Sequence, residues 1–200
     1  KIYLHERQKS GMKPLTFIDM PNSLGSKELI KMKIDFPFSK PRQLIEHLIR
    51  ITDKADDILI LDFFAGSGTT GHAILELNKE DKGNRKFILC TNNENNNGNG
   101  SGGIMEEVCY PRVKKVIQNL EKESKGKLVK NMPGNLKYFR TDFVDAGSSD
   151  RNKRKMVAKS TEMLCLKEDC FDEVKEGHKF KIYTNSQDKL LGIIYDDDGI

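Results

Sequence analysis

The run Ile58-Leu59-Ile60-Leu61, followed at once by Asp62-Phe63-Phe64-Ala65-Gly66-Ser67-Gly68-Thr69-Thr70-Gly71, constrains the fold more than any other part of the chain. Four consecutive apolar residues bounded by Asp57 and Asp62 suit a strand buried on both faces of a parallel sheet. The glycine-rich turn comes next, and Thr69 or Thr70 can cap a helix that carries Ala73, Ile74 and Leu77 inward. A charged loop over residues 79–86 leads to a second buried run, Phe87-Ile88-Leu89-Cys90. Strand, glycine loop, helix, loop and strand form a βαβ unit. Its glycines then lie at the carboxyl edge of the sheet, where open α/β folds bind ligands. Glycine there admits a ligand close to the backbone, and amides at the helix start can meet a carboxylate or phosphate.

Gly66, Gly68 and Gly71 also satisfy G-x-G-x-x-G, a pattern that by itself would suit a dinucleotide. A dinucleotide fingerprint usually opens its domain, yet here a complete helix precedes it. Residues 37–52 carry Leu44, Ile45, Leu48 and Ile49 at helical spacing behind a Ser39-Lys40-Pro41 start. Asp62, moreover, ends the strand where it would crowd a pyrophosphate but could hold a cationic amino group.

Elsewhere the pattern is less specific. Residues 1–35 are punctuated by Gly11, Pro14, Pro21, Asn22 and Gly25, so loop with brief elements is expected, with Ile2-Tyr3-Leu4 a short strand. Residues 95–103 are Asn, Gly and Ser throughout, a polar loop. Met105, Val108, Cys109, Val113, Val116, Ile117 and Leu120 mark a long amphipathic helix with Pro111 as an irregularity. A third strand is expected over 136–140, a helix over 153–167 and strands over 179–183 and 190–195. The fold class is therefore α/β, with strands near 58–63, 86–91 and 136–140 in a parallel sheet carrying helices on both faces.

Composition excludes several classes. The four cysteines, Cys90, Cys109, Cys165 and Cys170, contain no Cys-x-x-Cys pair, and His5, His47, His72 and His178 show no ligand spacing. No metal site is expected, and free thiols in a reducing cytoplasm are the simpler reading. No run of about 18 apolar residues is present, so no membrane span is expected. A net charge of +4, from 34 basic and 30 acidic residues, permits an acidic partner such as DNA without demanding one. Arg151, Lys153, Arg154 and Lys155 could touch phosphates or form a solvated face.

Residues 62–70 resemble the S-adenosylmethionine loop of amino-group DNA methyltransferases. Phe36-Pro37-Phe38-Ser39-Lys40-Pro41 resembles the segment that precedes this loop in the permuted beta class. Leu77-Asn78-Lys79-Glu80-Asp81, Gly83-Asn84-Arg85-Lys86-Phe87-Ile88-Leu89 and Tyr110-Pro111-Arg112-Val113-Lys114-Lys115-Val116-Ile117 are similar to the modification (Mod) subunit of type III restriction–modification systems. So are Gly134-Asn135-Leu136-Lys137-Tyr138-Phe139-Arg140-Thr141-Asp142-Phe143 and Glu162-Met163-Leu164-Cys165-Leu166-Lys167. The resemblance implies a Rossmann-like methyltransferase fold, divided as the end of a target-recognition or connecting region at 1–35, a cofactor domain at 36–145 and a C-terminal extension at 146–200. It implies S-adenosylmethionine as cofactor, with Asp62, Phe64, Ala65, Gly66 and Gly68 around its methionine portion. Ser39 and Lys40 would touch the same end, and Phe63, Ser67, Thr69 and Thr70 would complete the loop. For the ribose hydroxyls it implies an acid after the second strand. Glu94 is the nearest, while Thr91 and Asn92 stand at the strand end itself.

The family's catalytic Asp/Asn-Pro-Pro-Tyr/Phe has no counterpart, because no Pro-Pro occurs. No catalytic residue is assigned, and the catalytic half is expected upstream of Lys1 in a longer protein. The resemblance further implies adenine-specific methylation of double-stranded DNA, a modification-subunit homodimer, a restriction (Res) subunit as partner, and a cytoplasmic setting. Two rivals remain: a cytosine amino-group methyltransferase, and a non-catalytic cofactor- or DNA-binding module.

Overall fold

The computed structural model describes residues 18–52, 55–93, 102–124, 136–185 and 187–195. They fall into two compact units, residues 1–138 and 139–200. The Ile2-Tyr3-Leu4 strand, Glu94 and residues 95–101 of the polar loop lie outside the described residues.

In the first unit, α1 (Ser23–Lys31) and α2 (Arg42–Thr52) precede β1 (Leu59–Asp62), α3 (Thr69–Asp81) and β2 (Lys86–Leu89). A π-helical turn (Met105–Cys109) then runs into α4 (Tyr110–Ser124). The expected βαβ unit is present. β1 and β2 pair in parallel, with Leu59 opposite Lys86 and Asp62 opposite Leu89. The crossover is α3, whose return loop is fastened by the Asn78 side chain. That amide donates to the Arg85 carbonyl at 2.8 Å and accepts from the Arg85 amide at 3.1 Å. The Arg85 guanidinium forks onto both oxygens of Asp81, at 2.9 and 2.8 Å, and holds that carboxyl below its ordinary range.

Burial of the sheet differs from the sequence reading. Phe87 and Leu89 pack on a core of Leu75, Val113, Val116, Ile117 and Leu120 from α3 and α4. The alternate face carries Leu59, 61% exposed, and Leu61, 47% exposed. Among the described residues the parallel sheet has two strands and helices on one face, so β1 is half covered rather than buried on both sides. The third strand expected over 136–140 is not formed: these residues belong to no ladder. Leu136 packs against the α3–α4 core instead, and the Tyr138 ring sits 5.6 Å from that of Tyr110.

Pro111 accounts for the irregular helix. Proline has no amide to donate to the carbonyl four residues back. The turn before it widens to π geometry, and the Tyr110 amide reaches Met105 O, five residues back. Val108, Cys109, Val113, Val116, Ile117 and Leu120 are all buried, as their spacing predicts. Helix α2 begins at Arg42, after Ser39-Lys40-Pro41, and its apolar face is only partly covered.

The second unit places α5 (Asp150–Glu168) before an antiparallel sheet of β3 (Asp172–Glu176), β4 (Phe180–Thr184) and β5 (Leu190–Ile194). Ser149 caps α5, accepting from the Asn152 amide at 3.3 Å, so the helix starts before the expected Lys153. Cys165, Cys170, Tyr183 and Ile193 form the core. Arg151, Lys153, Arg154 and Lys155 are exposed on α5. Among the described residues no helix is long and apolar enough to cross a membrane.

Candidate functional site

The turn between β1 and α3 is built on two left-handed glycines, Gly66 at φ +49° and Gly68 at φ +75°. A side chain at either position would be strained, but their surroundings differ. A Cβ on Gly68 would lie 3.0 Å from Cys109 Sγ, so Gly68 is closed against the π-helical turn. A Cβ on Gly66 would have no heavy atom nearer than Phe64 O at 3.8 Å. Gly66 is the point where the loop backbone faces open space. Gly71, the third glycine of the pattern, packs against Leu89 and Val113 instead.

Asp62 shapes the outer half of the loop. Its carboxylate accepts from the Phe64 amide at 3.0 Å and from Thr70 Oγ1 at 2.5 Å. Each carboxylate oxygen keeps a further lone pair for a cation. The two backbones are stitched alongside, the Cys90 amide to Asp62 O at 2.8 Å and the Ala65 amide to Cys90 O at 3.1 Å. Ala65 is buried, while Phe63 and Phe64 stand out at 66% and 93% exposure. Neither Thr69 nor Thr70 caps α3. The N-cap is Gly68, without a side-chain cap, because Asp62 takes the Thr70 hydroxyl and a guanidinium takes that of Thr69.

That guanidinium belongs to Arg112 of α4, which is completely buried. Its Nη1 donates toward Thr69 Oγ1 at 2.8 Å, Ser39 Oγ at 3.0 Å, Ser67 Oγ at 3.1 Å and the Ser67 carbonyl at 3.4 Å. Nε faces His72 Nδ1 at 3.3 Å, and Nη2 meets Glu28 Oε2 of α1 at 2.8 Å. Glu28 is shared with Arg42 Nε at 3.0 Å. Burial pulls the Arg112 pKa down, opposed by Glu28. Because His72 Nδ1 accepts from Arg112, its Nε2 side is left facing Glu76, and this contact holds the Glu76 carboxyl below its ordinary range. Burial pushes the Cys109 thiol up to about 11.

The structure thus sorts the residues picked out by sequence. Asp62, Phe63, Phe64, Ala65 and Gly66 form the outer loop. Ser39, Ser67 and Thr69 come together, but their hydroxyls turn inward to Arg112, with Ser39 Oγ 3.0 Å from Ser67 Oγ. Thr70 turns to Asp62, and Lys40 is exposed. Thr91 is half-buried and Asn92 exposed after β2. The neighbouring Asn93 accepts from the Met105 and Glu106 amides at 3.1 and 3.4 Å. A shallow cleft of about 250 Å³ lined by Tyr110, Lys114, Ile117, Gln118, Glu121 and Leu136 shares no residue with the loop. Sequence reasoning gave no role to Arg112 or Glu28. The signal was available: Arg112 lies between Val108 and Val116 on an otherwise apolar helical stripe, and a charge there needs buried partners.

The stretch that carries this loop is similar to known proteins. Residues 15–96 match the DNA methylase family. A 72-residue stretch is 47% identical to the type III restriction-modification enzyme StyLTI Mod subunit of Salmonella typhimurium, covering 35% of this chain and 11% of that protein. Over 99 residues the chain is 39% identical to the EcoPI Mod subunit of Escherichia phage P1, covering 49% of this chain and 15% of that protein. Over 71 residues it is 46% identical to the type II methyltransferase M.KpnI of Klebsiella pneumoniae, covering 34% and 17%. The chain therefore spans a small part of these relatives' length. Over the stretches they cover, the resemblance to type III modification subunits read from the sequence is borne out.

Proposed function

We propose that this chain carries the methyl-donor-binding part of an adenine-specific DNA methyltransferase of a type III restriction–modification system. The observation that carries this reading is the open backbone at Gly66 beside the Asp62 carboxylate, at the carboxyl end of a parallel strand and inside the stretch that matches DNA methylases. The sheet fits a Rossmann-like methyltransferase fold, of which two strands and their crossover helix are described.

The site's chemistry fits S-adenosylmethionine. Asp62 retains acceptor capacity for an ammonium group. The first-turn amides of α3 lack partners inside the helix and suit a carboxylate. The exposed Phe64 offers an apolar surface, and Lys40 a cation, at the loop's margin. When bound, the donor supplies a methyl group activated on a sulfonium. The inward hydroxyls of Ser39, Ser67 and Thr69 serve by fixing the loop, while Thr91, Asn92 and Glu94 are assigned to the ribose side by resemblance alone.

The target adenine must leave the DNA stack to reach the donor. The group that holds its amino nitrogen is assigned outside these residues, since no Pro-Pro element is present. Double-stranded DNA, a restriction subunit and a second modification subunit are the proposed partners. Radiolabelled methyl transfer by the intact protein to duplex DNA, followed by nucleoside analysis, tests the proposal. N6-methyladenine is expected, strongly reduced in Asp62→Ala and Gly66→Val. N4-methylcytosine, no incorporation, or wild-type rates in both variants would overturn it.

A further inference from the structure

Arg112 has a role that its burial makes specific. A buried ion pair is a poor device for stability alone, because apolar residues of similar volume usually do as well or better. What Arg112 adds over an apolar side chain is geometry. Its planar fork reaches five other residues at once, which a lysine cannot do. Those residues come from separate parts of the chain: Glu28 on α1, Ser39 before α2, Ser67 and Thr69 in the loop, and His72 on α3. Ser67 lies between the two left-handed glycines and Thr69 directly after the second. Arg112 therefore grips the inner side of the same few residues whose outer side is open at Gly66.

We infer that Arg112 is a positioning residue of the donor site, with Glu28 as its countercharge: it sets the backbone of residues 66–69 in the shape that receives S-adenosylmethionine. The inference rests on reading the loop as the donor site. Nη1 has two hydrogens for four acceptors, so the hydroxyls of Ser39, Ser67 and Thr69 share one donor and bond to one another as well, which couples their positions. Loss of any one acceptor should loosen the loop while leaving the apolar core of α3 and α4 in place.

Calorimetric titration with S-adenosylmethionine tests this in wild type, Asp62→Ala, Thr69→Val, Arg112→Lys, Arg112→Met and Thr69→Val/Arg112→Lys, each also melted thermally. Thr69→Val should weaken binding several-fold with little change in melting temperature. Arg112→Met should weaken it by about tenfold or more, with partial recovery in Arg112→Lys, as expected for hydrogen bonds to a charged group. In the double variant the two losses should be clearly non-additive, since both act through one contact. Should Arg112→Met fail to fold, Thr69→Val, Arg112→Lys and their combination carry the test. Wild-type affinity in folded Thr69→Val and Arg112→Lys, or strictly additive losses, would overturn the positioning role alone, provided Asp62→Ala abolishes binding. No binding by the wild type, or unchanged affinity in Asp62→Ala, would overturn the reading of the loop and this role with it.

Discussion

Replacing Gly25 by alanine tests how tightly α1 packs on residues 39–40, behind the glycine loop. Gly25 is buried in α1, and an added Cβ would lie 2.3 Å from the Ser39 carbonyl oxygen and 2.5 Å from that of Lys40. Carbon–oxygen contacts settle at about 3.3 Å, so roughly 1 Å must be found. The atoms in the way are backbone, next to the buried Pro41, and cannot rotate aside. Overpacking of this kind costs about 1–3 kcal/mol, here at the upper end. Alanine returns about 1 kcal/mol as the better helix former. The alternative is for α1 to lift, which gives up about 2 kcal/mol from burial of Leu29 and separates Glu28 from Arg112, a break that costs about 3–5 kcal/mol for a buried pair. Local strain is the cheaper route, and a net loss of about 2 kcal/mol follows. For a unit of this size that lowers the melting temperature by about 6 °C. Thermal melting by circular dichroism measures it, with the exposed Lys27→Ala as a control expected within about 0.5 kcal/mol of wild type. An alanine variant as stable as the wild type or more so, the latter being the ordinary result for a solvent-facing helical glycine, would refute the close approach of α1 to residues 39–40.

Two further outcomes follow from the side-chain environments. Asp81 and Glu76 are held below their ordinary range by Arg85 and His72, so their stabilisation is complete above that range and is lost as pH falls through the lowered folded-state values. Melting temperature should therefore fall as the pH is lowered through the carboxylate range, and less steeply in Asp81→Asn; parallel pH profiles would count against the Arg85 contact. Among the four cysteines, Cys90 is exposed and Cys109, Cys165 and Cys170 are buried, so one thiol should react rapidly with a disulfide reagent and the other three only on unfolding. Fast reaction of Cys109 would contradict both its burial and its raised pKa.

The βαβ unit was legible because its signal is local. A four-residue apolar run, a glycine turn and a helical stripe each follow from near neighbours in sequence. The 3.6-residue period likewise located α2 and α4, and Pro111 announced the irregular turn. The misses have physical causes. β3 reads Asp-Glu-Val-Lys-Glu, and all five residues are exposed, so it is an edge strand held by backbone pairing with no alternation to notice. Leu136 signalled burial, which the sequence reading turned into a strand, whereas its contact is with helices. Around the glycine loop, which residues come together was partly legible and which way they turn was not. Ser39, Ser67 and Thr69 were read as facing a ligand, but their direction is decided by Arg112, which lies 73, 45 and 43 residues away along the chain.

Those separations bear on when the site comes into being. Strand, loop and α3 are contiguous and can assemble as soon as they are synthesised. The brace that shapes the loop closes across 84 residues from Glu28 and 73 from Ser39, and such closures wait until long stretches of chain have been ordered. A chain translated only as far as β2 holds every loop residue from Asp62 to Thr70 yet lacks the guanidinium that arranges them. The loop's shape is therefore a readout of completed folding through α4, and a βαβ core without that helix is complete in sequence but not in shape.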